Sequence, residues 1–373
     1  MHNSVILRNT EDYGNNLQAL LLVPLLLGTI YFDWQRVLIF WVLTFNSGVL
    51  TTMNKKLLSK KLVVLFLAGI ITVMAVSYLP SSQAQVQPKT QQTALPKFTS
   101  FKEAGELELQ GNGKPFIPSG LRQAAKPNSG KIRGIPDGID DRIPMTSKEY
   151  PWSAIGRVEG TTADAKNYHC TGTLIYDNLV LTNAHCVIDN NTGLPSRELQ
   201  FLPNVINGRV QNNRDVALVE QVVYGTDFKN GQQDAVNDWA VLKINKVLGR
   251  KYGYLGWVSL PSSTLARNRK SSFFVGYSGD FPSSEYQKYF TAGPGWTAGF
   301  EQGCGIVGEE ANFLLHDCDT AGGSSGGPII GMINGEPYIV ALNNIELKDL
   351  RSKRDIINAA VKVDFLDRLF GRN

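Results

Sequence analysis

No CxxC pair, HExxH segment or GxxxxGKS/T loop occurs in the 373 residues. Their absence removes the common signatures of zinc modules, metallopeptidases and nucleotide-phosphate loops. Histidine and cysteine are scarce, at four each, and every cysteine (Cys170, Cys186, Cys304, Cys318) lies between positions 170 and 318. Their wide spacing disfavours structural zinc, which takes closely spaced ligands. No basic face is evident either. Of the net charge of +4, residues 1–84 hold six Lys or Arg against three acids, leaving +1 for the remainder. A near-neutral body excludes nucleic acid as an expected partner. No metal and no cofactor is expected.

What is present fits a loop-rich β protein. Hydrophobic residues make up 43% and charged residues 19%, both ordinary for a globular chain, while 36 glycines are many. Residues 53–84 have the order of a secretory signal. Met53 precedes the basic NKKLLSKK, the apolar LVVLFLAGIITVMAV follows, and Ser82-Gln83-Ala84 offers a small-x-small cleavage site. The apolar run is short against the ~20 residues of a spanning helix. Residues 1–52 carry further apolar stretches, interrupted by Asp33, Gln35 and Arg36. They read as an extension ahead of the true start at Met53, with a membrane segment as the rival. Residues 85–138, rich in Gln, Pro, Lys, Gly and Ser, read as a propeptide or linker without a core of its own. The folded domain is expected over 139–373. Export makes an even cysteine count point to two disulfides, with three connectivities open. A secreted, periplasmic or extracellular location follows, with membrane contact only transient or through the N-terminal segment.

Within 139–373, short apolar runs recur between Gly, Asn, Asp and Pro: CTGTLIY, NLVLTNA, LQFLPNV, VALVEQVVYG, WAVLKI, SSFFVGY, GPIIGMI and PYIVALN. Many short strands at such spacing argue for a sandwich or barrel. VDFLDRLF, residues 363–370, places Phe365, Leu366 and Leu369 at helical spacing.

A serine hydroxyl becomes a useful nucleophile only beside a base whose tautomer is held by a third group. Residues 318–328 read CDTAGGSSGGP. Four glycines around Ser324 and Ser325 let backbone N–H groups turn inward, as an oxyanion site requires. Among the histidines, His185 stands out. It sits in LTNAHC, after an apolar strand and beside Cys186. His169 and His316 lack that setting and read as structural.

LTNAHC and GGSSGGP together resemble the histidine and serine motifs of trypsin-like, chymotrypsin-fold serine peptidases, in the bacterial branch related to glutamyl endopeptidases. The resemblance covers about residues 145–370. It implies an all-β fold of two six-stranded antiparallel β-barrels (about 139–252 and 253–373) with a C-terminal helix and the site between the barrels. It makes Ser325, immediately before Gly-Gly-Pro, the nucleophile, and the N–H groups of Gly323 and Ser325 the oxyanion hole. The family's aspartate begins an apolar strand, which Asp215 and Asp238 both do. Only Asp238 leaves room for LQFLPNV and VALVEQVVYG between it and His185. The family pattern also bridges Cys170 to Cys186, leaving Cys304 with Cys318.

Asp319, six residues before Ser325, falls where an aspartate selects Arg or Lys, with Thr320 and Asn343 also lining the substrate pocket. A glutamyl preference would expect a histidine near Asn343, and none is there. Ser324 replaces the aspartate that pairs with a new N-terminus in animal trypsins. The implied function is a monomeric, secreted serine endopeptidase acting on polypeptides. An inactive homologue acting as a binding module is the rival of another class.

Overall fold

The computed structural model describes residues 95–106, 109–124, 140–229, 235–348 and 355–372. The expected signal at 53–84 and the extension at 1–52 lie outside the described residues. Among the described residues, no helix is long and apolar enough to cross a membrane.

Among the described residues, sixteen strands form two sheets. In chain order the first are β1 (Lys97–Ser100), β2 (Ile143–Pro144), β3 (Ile155–Thr161), β4 (Asn167–Tyr176), β5 (Leu179–Thr182), β6 (Arg197–Pro203), β7 (Ala217–Tyr224) and β8 (Ala240–Ile244). The order β7-β6-β3-β4-β5-β8 returns to its start because β8 also pairs with β7, closing a six-stranded antiparallel barrel. Its interior holds Val158, Leu174, Val180, Phe201, Val222 and Leu242, all buried.

The second sheet comprises β9 (Gly256–Trp257), β10 (Ser272–Gly276), β11 (Gly299–Gln302), β12 (Ile306–Glu310), β13 (Phe313–His316), β14 (Pro328–Ile333), β15 (Glu336–Lys348) and β16 (Asp355–Lys362), joined by β2. The all-β, two-sheet expectation is met, with the second sheet arranged as follows. Among the described residues, pairing runs from β12 to β2 without returning, and β2 lies on the outer edge of β11, Gly299 facing Pro144 and Phe300 facing Ile143. The residues opening the expected first barrel thus complete the second sheet.

A C-terminal helix forms at Asp364–Leu369, with Phe365 and Leu366 buried. Phe365 stacks on Trp239 with ring centroids 4.1 Å apart. Such aromatic burial is worth about 2–3 kcal/mol per ring.

A correction concerns 85–138. Part of this expected linker is built into the body. β1 runs parallel to β7, Phe101 meets the edge of Trp239 at 5.4 Å, and Ala104 is buried. Phe116 bridges to Tyr254 and stacks on its ring at 5.2 Å, while Gln123 bridges to Tyr150. Widely separated apolar residues give no periodic signal, yet each finds a place on a surface already made. The remainder, 85–94, 107–108 and 125–138, lies outside the described residues.

Candidate functional site

The antiparallel pairing of β5 with β8 sets Thr182 opposite Ala240. The residues leaving β5 therefore meet those entering β8. Asn183 Nδ2 donates to Asp238 O at 2.7 Å, the His185 N–H donates to Asp238 Oδ1 at 2.9 Å, and His185 Nδ1 lies 2.7 Å from Asp238 Oδ2. Asp238 is buried. A carboxylate at Nδ1 selects the tautomer with the proton there, which makes Nε2 the basic nitrogen. Asp215 is elsewhere, accepting hydrogen bonds from Tyr252 Oη at 2.6 Å and from Lys251 Nζ.

β4 holds Ser325 beside Cys186, the residue that follows His185. Thr171 N donates to Ser325 O at 2.9 Å, and Cys186 Sγ lies 3.8 Å from the same oxygen. Cys186 follows His185 and is bridged to Cys170 of β4. One disulfide thus abuts both the histidine segment and the serine turn. The turn needs glycine at two points. Gly323 and Gly326 have φ of +96° and +80°. A Cβ on Gly323 would stand 2.4 Å from His169 Nε2, and one on Gly326 would stand 2.3 Å from Thr171 O. Thr171 Oγ1 donates to Gly323 O at 3.0 Å, completing the clamp. Among the described residues, neither the Gly323 nor the Ser325 N–H donates a hydrogen bond.

The two serines differ sharply. Ser325 is partly exposed, whereas Ser324 is buried with its Oγ 3.1 Å from Asn343 Nδ2. Asn343 Oδ1 in turn meets His316 Nε2 at 3.0 Å, and Cys318 N donates to His316 Nδ1 at 3.3 Å. Burial pushes the His316 imidazole down to about 4. The carboxamide placed at the substrate pocket by sequence is therefore used inside the protein, bracing the residue before Ser325. His316 is its structural partner.

Asp319 follows Cys318, which is bridged to Cys304. It is fully buried, and its Oδ2 accepts from Asp141 N at 2.8 Å. Its own N–H donates to Glu301 Oε2 at 2.6 Å. Burial raises both carboxyls far above the ordinary range, and Asp319 lifts Glu301 further by repulsion. Arg142, close by, is held by Asp140 and Asp280. Thr320 is buried beside Asp319, its Oγ1 lacking a hydrogen bond within the described protein.

His169 proves to be a neighbour of the site. Its Nε2 lies 2.8 Å from Tyr277 O, and burial pulls its pKa down to about 4. Its position directly before Cys170 was the available signal. Glu301 and Thr171 carried none. Cys170, His185 and Cys186 cluster within 4.8 Å. Both sulfurs there are consumed by the bridge, so they are no thiolate donors for a metal.

The trypsin-like peptidase domain model matches residues 170–338. Bovine serine protease 23 is 28% identical over 229 residues, covering 55% of this chain and 54% of its own length. The glutamyl endopeptidase of Bacillus licheniformis is 26% identical over 195 residues, covering 52% and 53%. The chain thus spans about half of either relative. A solved Glu endopeptidase in complex with MPD aligns at a TM-score of 0.48 and 21% identity, over 63% of this chain and 98% of that one. Residues 170–338, which run from the cysteine bridged beside His185 through the serine turn into β15, are thus the part of the chain that resembles a trypsin-like peptidase domain.

Proposed function

We propose that this protein is a serine endopeptidase in which Ser325 attacks the scissile carbonyl, His185 takes and returns the proton, and Asp238 holds the imidazole. The observation carrying this reading is the two-point carboxylate grip on His185, with Ser325 O lodged against Thr171 N and Cys186. His185 Nε2 accepts the Ser325 proton as Oγ bonds to carbon. The Gly323 and Ser325 amides receive the oxyanion, a contribution on the order of 10²–10³ in rate. The imidazolium then protonates the departing amine, and water releases the acyl group by the reverse sequence. Two disulfides agree with an oxidising, extracytoplasmic location.

Cleavage after Arg or Lys is the preference favoured. Asp319 and Glu301 are two acids raised by burial, and a substrate cation would let one ionise at little cost. A substrate glutamate would instead bring a third acid to them, with Asn343 committed to Ser324 and Arg142 to its aspartates.

Reaction with a serine-directed phosphonate, followed by peptide-library profiling, tests both parts. Ser325→Ala abolishes labelling and hydrolysis, and Ser324→Ala still labels. Asp319→Ser lowers cleavage after Arg by about 100-fold relative to other residues. An unlabelled wild-type protein would establish the binding-module reading, and a Glu-directed profile would replace the basic preference.

A further inference from the structure

The outward face of the closed barrel carries a polar cavity whose wall includes His169, a neighbour of Gly323 in the serine turn. On β3, Arg157 and Glu159 point away from the buried Val158, as the period-two geometry of a strand requires. Register sets Arg157 across from Thr171, and Glu159 across from His169 on one side and Gln200 on the other. Arg157, Glu159, His169, Gln200 and Trp296 line a cavity of about 530 Å³. His169 is its wall toward the turn, standing where Gly323 has no side chain.

Arg157 is an unusual lining residue. Its side chain is only 7% exposed. Its guanidinium lies 3.9 Å over the Trp296 ring. Nε donates to Glu159 Oε1 at 2.8 Å and Nη1 donates to Gly295 O. Nη2 has no hydrogen-bond partner among the described residues. Both oxygens of Glu159 are engaged, the second by Gln200 Nε2 at 2.9 Å. Glu198 is exposed at the rim and bonded to Thr161. Burial lowers the Arg157 pKa with Glu159 as its principal offset, so the cation is under-compensated. A second carboxylate entering the cavity would find donors in the planar geometry that suits it.

The position relative to the reaction follows from the proton's path. The departing amine takes its proton from His185 and so leaves on the side of Cys186, Cys170 and His169. Asp319 lies at the opposite end of the serine turn. We infer that Arg157 is a specificity-determining residue that selects an acidic side chain, Asp or Glu, within the first three residues of the leaving segment of the substrate. This rests on the endopeptidase reading and extends it to the other side of the scissile bond.

The test separates the two readings by measuring binding without turnover. Fluorescent peptides carrying Glu, Gln or Lys at each of the first three leaving positions are titrated against full-length Ser325→Ala protein. At one position Glu binds about tenfold more tightly than Gln, and the ratio shrinks as salt rises from low to high. Glu159→Gln on that background widens the ratio by removing the competing carboxylate. The double variant Arg157→Gln/Glu159→Gln, which removes the ion pair as a unit, erases it, so that the Glu and Gln peptides bind alike. Equal binding of Glu and Gln at all three positions, a preference for Lys, or no binding of any peptide overturns the inference. Failure of the wild-type chain to cleave any peptide overturns the endopeptidase reading, whatever the binding shows.

Discussion

The two halves of the molecule hold their parts of the site by different means. In the closed barrel, a ladder of strands returning on itself places the ends of β5 and β8 together, and one pair of side chains, His185 and Asp238, completes the arrangement. In the open sheet, the serine turn stands on a buried polar scaffold: Ser324 on Asn343, Asn343 on His316, Asn358 on Cys318 O at 2.7 Å, and Asp319 beside Glu301. A closed ladder over-determines its geometry and tolerates an apolar interior. An open sheet leaves loop orientation to side-chain hydrogen bonds, each costly to leave unmade. In animal trypsins an ion pair to the residue before the nucleophile serves this purpose. Here Ser324 stands in that place and is held by neutral hydrogen bonds through Asn343 to His316.

The largest expected effect sharpens the account of the closed barrel. Asp238→Asn lowers kcat on a peptide substrate by ~10⁴ through loss of the correct tautomer, whereas Asp215→Asn changes stability alone. Steady-state kinetics on the two variants, with denaturant curves as control, check this. Next in size is the scaffold. Asn343→Leu strands Ser324 Oγ and His316 and costs about 2–3 kcal/mol of stability, with a fall in kcat of tenfold or more. A loss of stability with kcat unchanged would break the comparison, since the relay would then brace the sheet without setting the turn.

The pH response divides the molecule by sign. His169 and His316, held at about 4 by burial, stay neutral in the fold, while the unfolded chain takes up protons below about 6.5. Their contribution is whole above that pH and is lost as pH falls toward 4, by at most about 3 kcal/mol each. Asp319 and Glu301 act oppositely. They keep in the fold protons that the unfolded chain releases above about 4, so their contribution declines as pH rises. His316→Gln therefore flattens the acid limb of a stability–pH curve, and Asp319→Asn raises stability at pH 8 by about 1–2 kcal/mol. The smallest effect concerns the N-terminal strap. Phe101→Ala removes a half-buried ring from the edge of Trp239 and lowers the denaturant midpoint by the equivalent of about 1–2 kcal/mol.

How much could be read in advance follows from how local each signal is. LTNAHC and GGSSGGP are contiguous, because a histidine at a strand end and a serine on a glycine turn are specified by their immediate neighbours. Asp238 was legible only through the room needed for the strands between it and His185. β11 and β12 were missed, since FEQ and IVGEE carry charge and glycine along the strand. The strap at 95–124 was misread because single aromatic residues packed on a finished surface have no period. Glu301 and Arg157 had no motif at all. Their importance comes from burial beside Asp319 and Trp296, residues close in space and distant or unremarkable in sequence.

By itself the amino-acid order determined the β class and the trypsin-like resemblance, and through that resemblance the two cysteine pairs and the expectation that His185 and Ser325 work together. These depend on short-range chemistry: a glycine-rich turn, apolar strands, and a histidine and a serine each within a short motif. Only the folded chain decided that the second sheet stays open at β2, that Asn343 braces Ser324, that two acids share a buried corner, and that Arg157 faces a cavity beside the serine turn. Those outcomes arise from which side chains lose water together, and desolvation is a property of the packed molecule rather than of any segment within it.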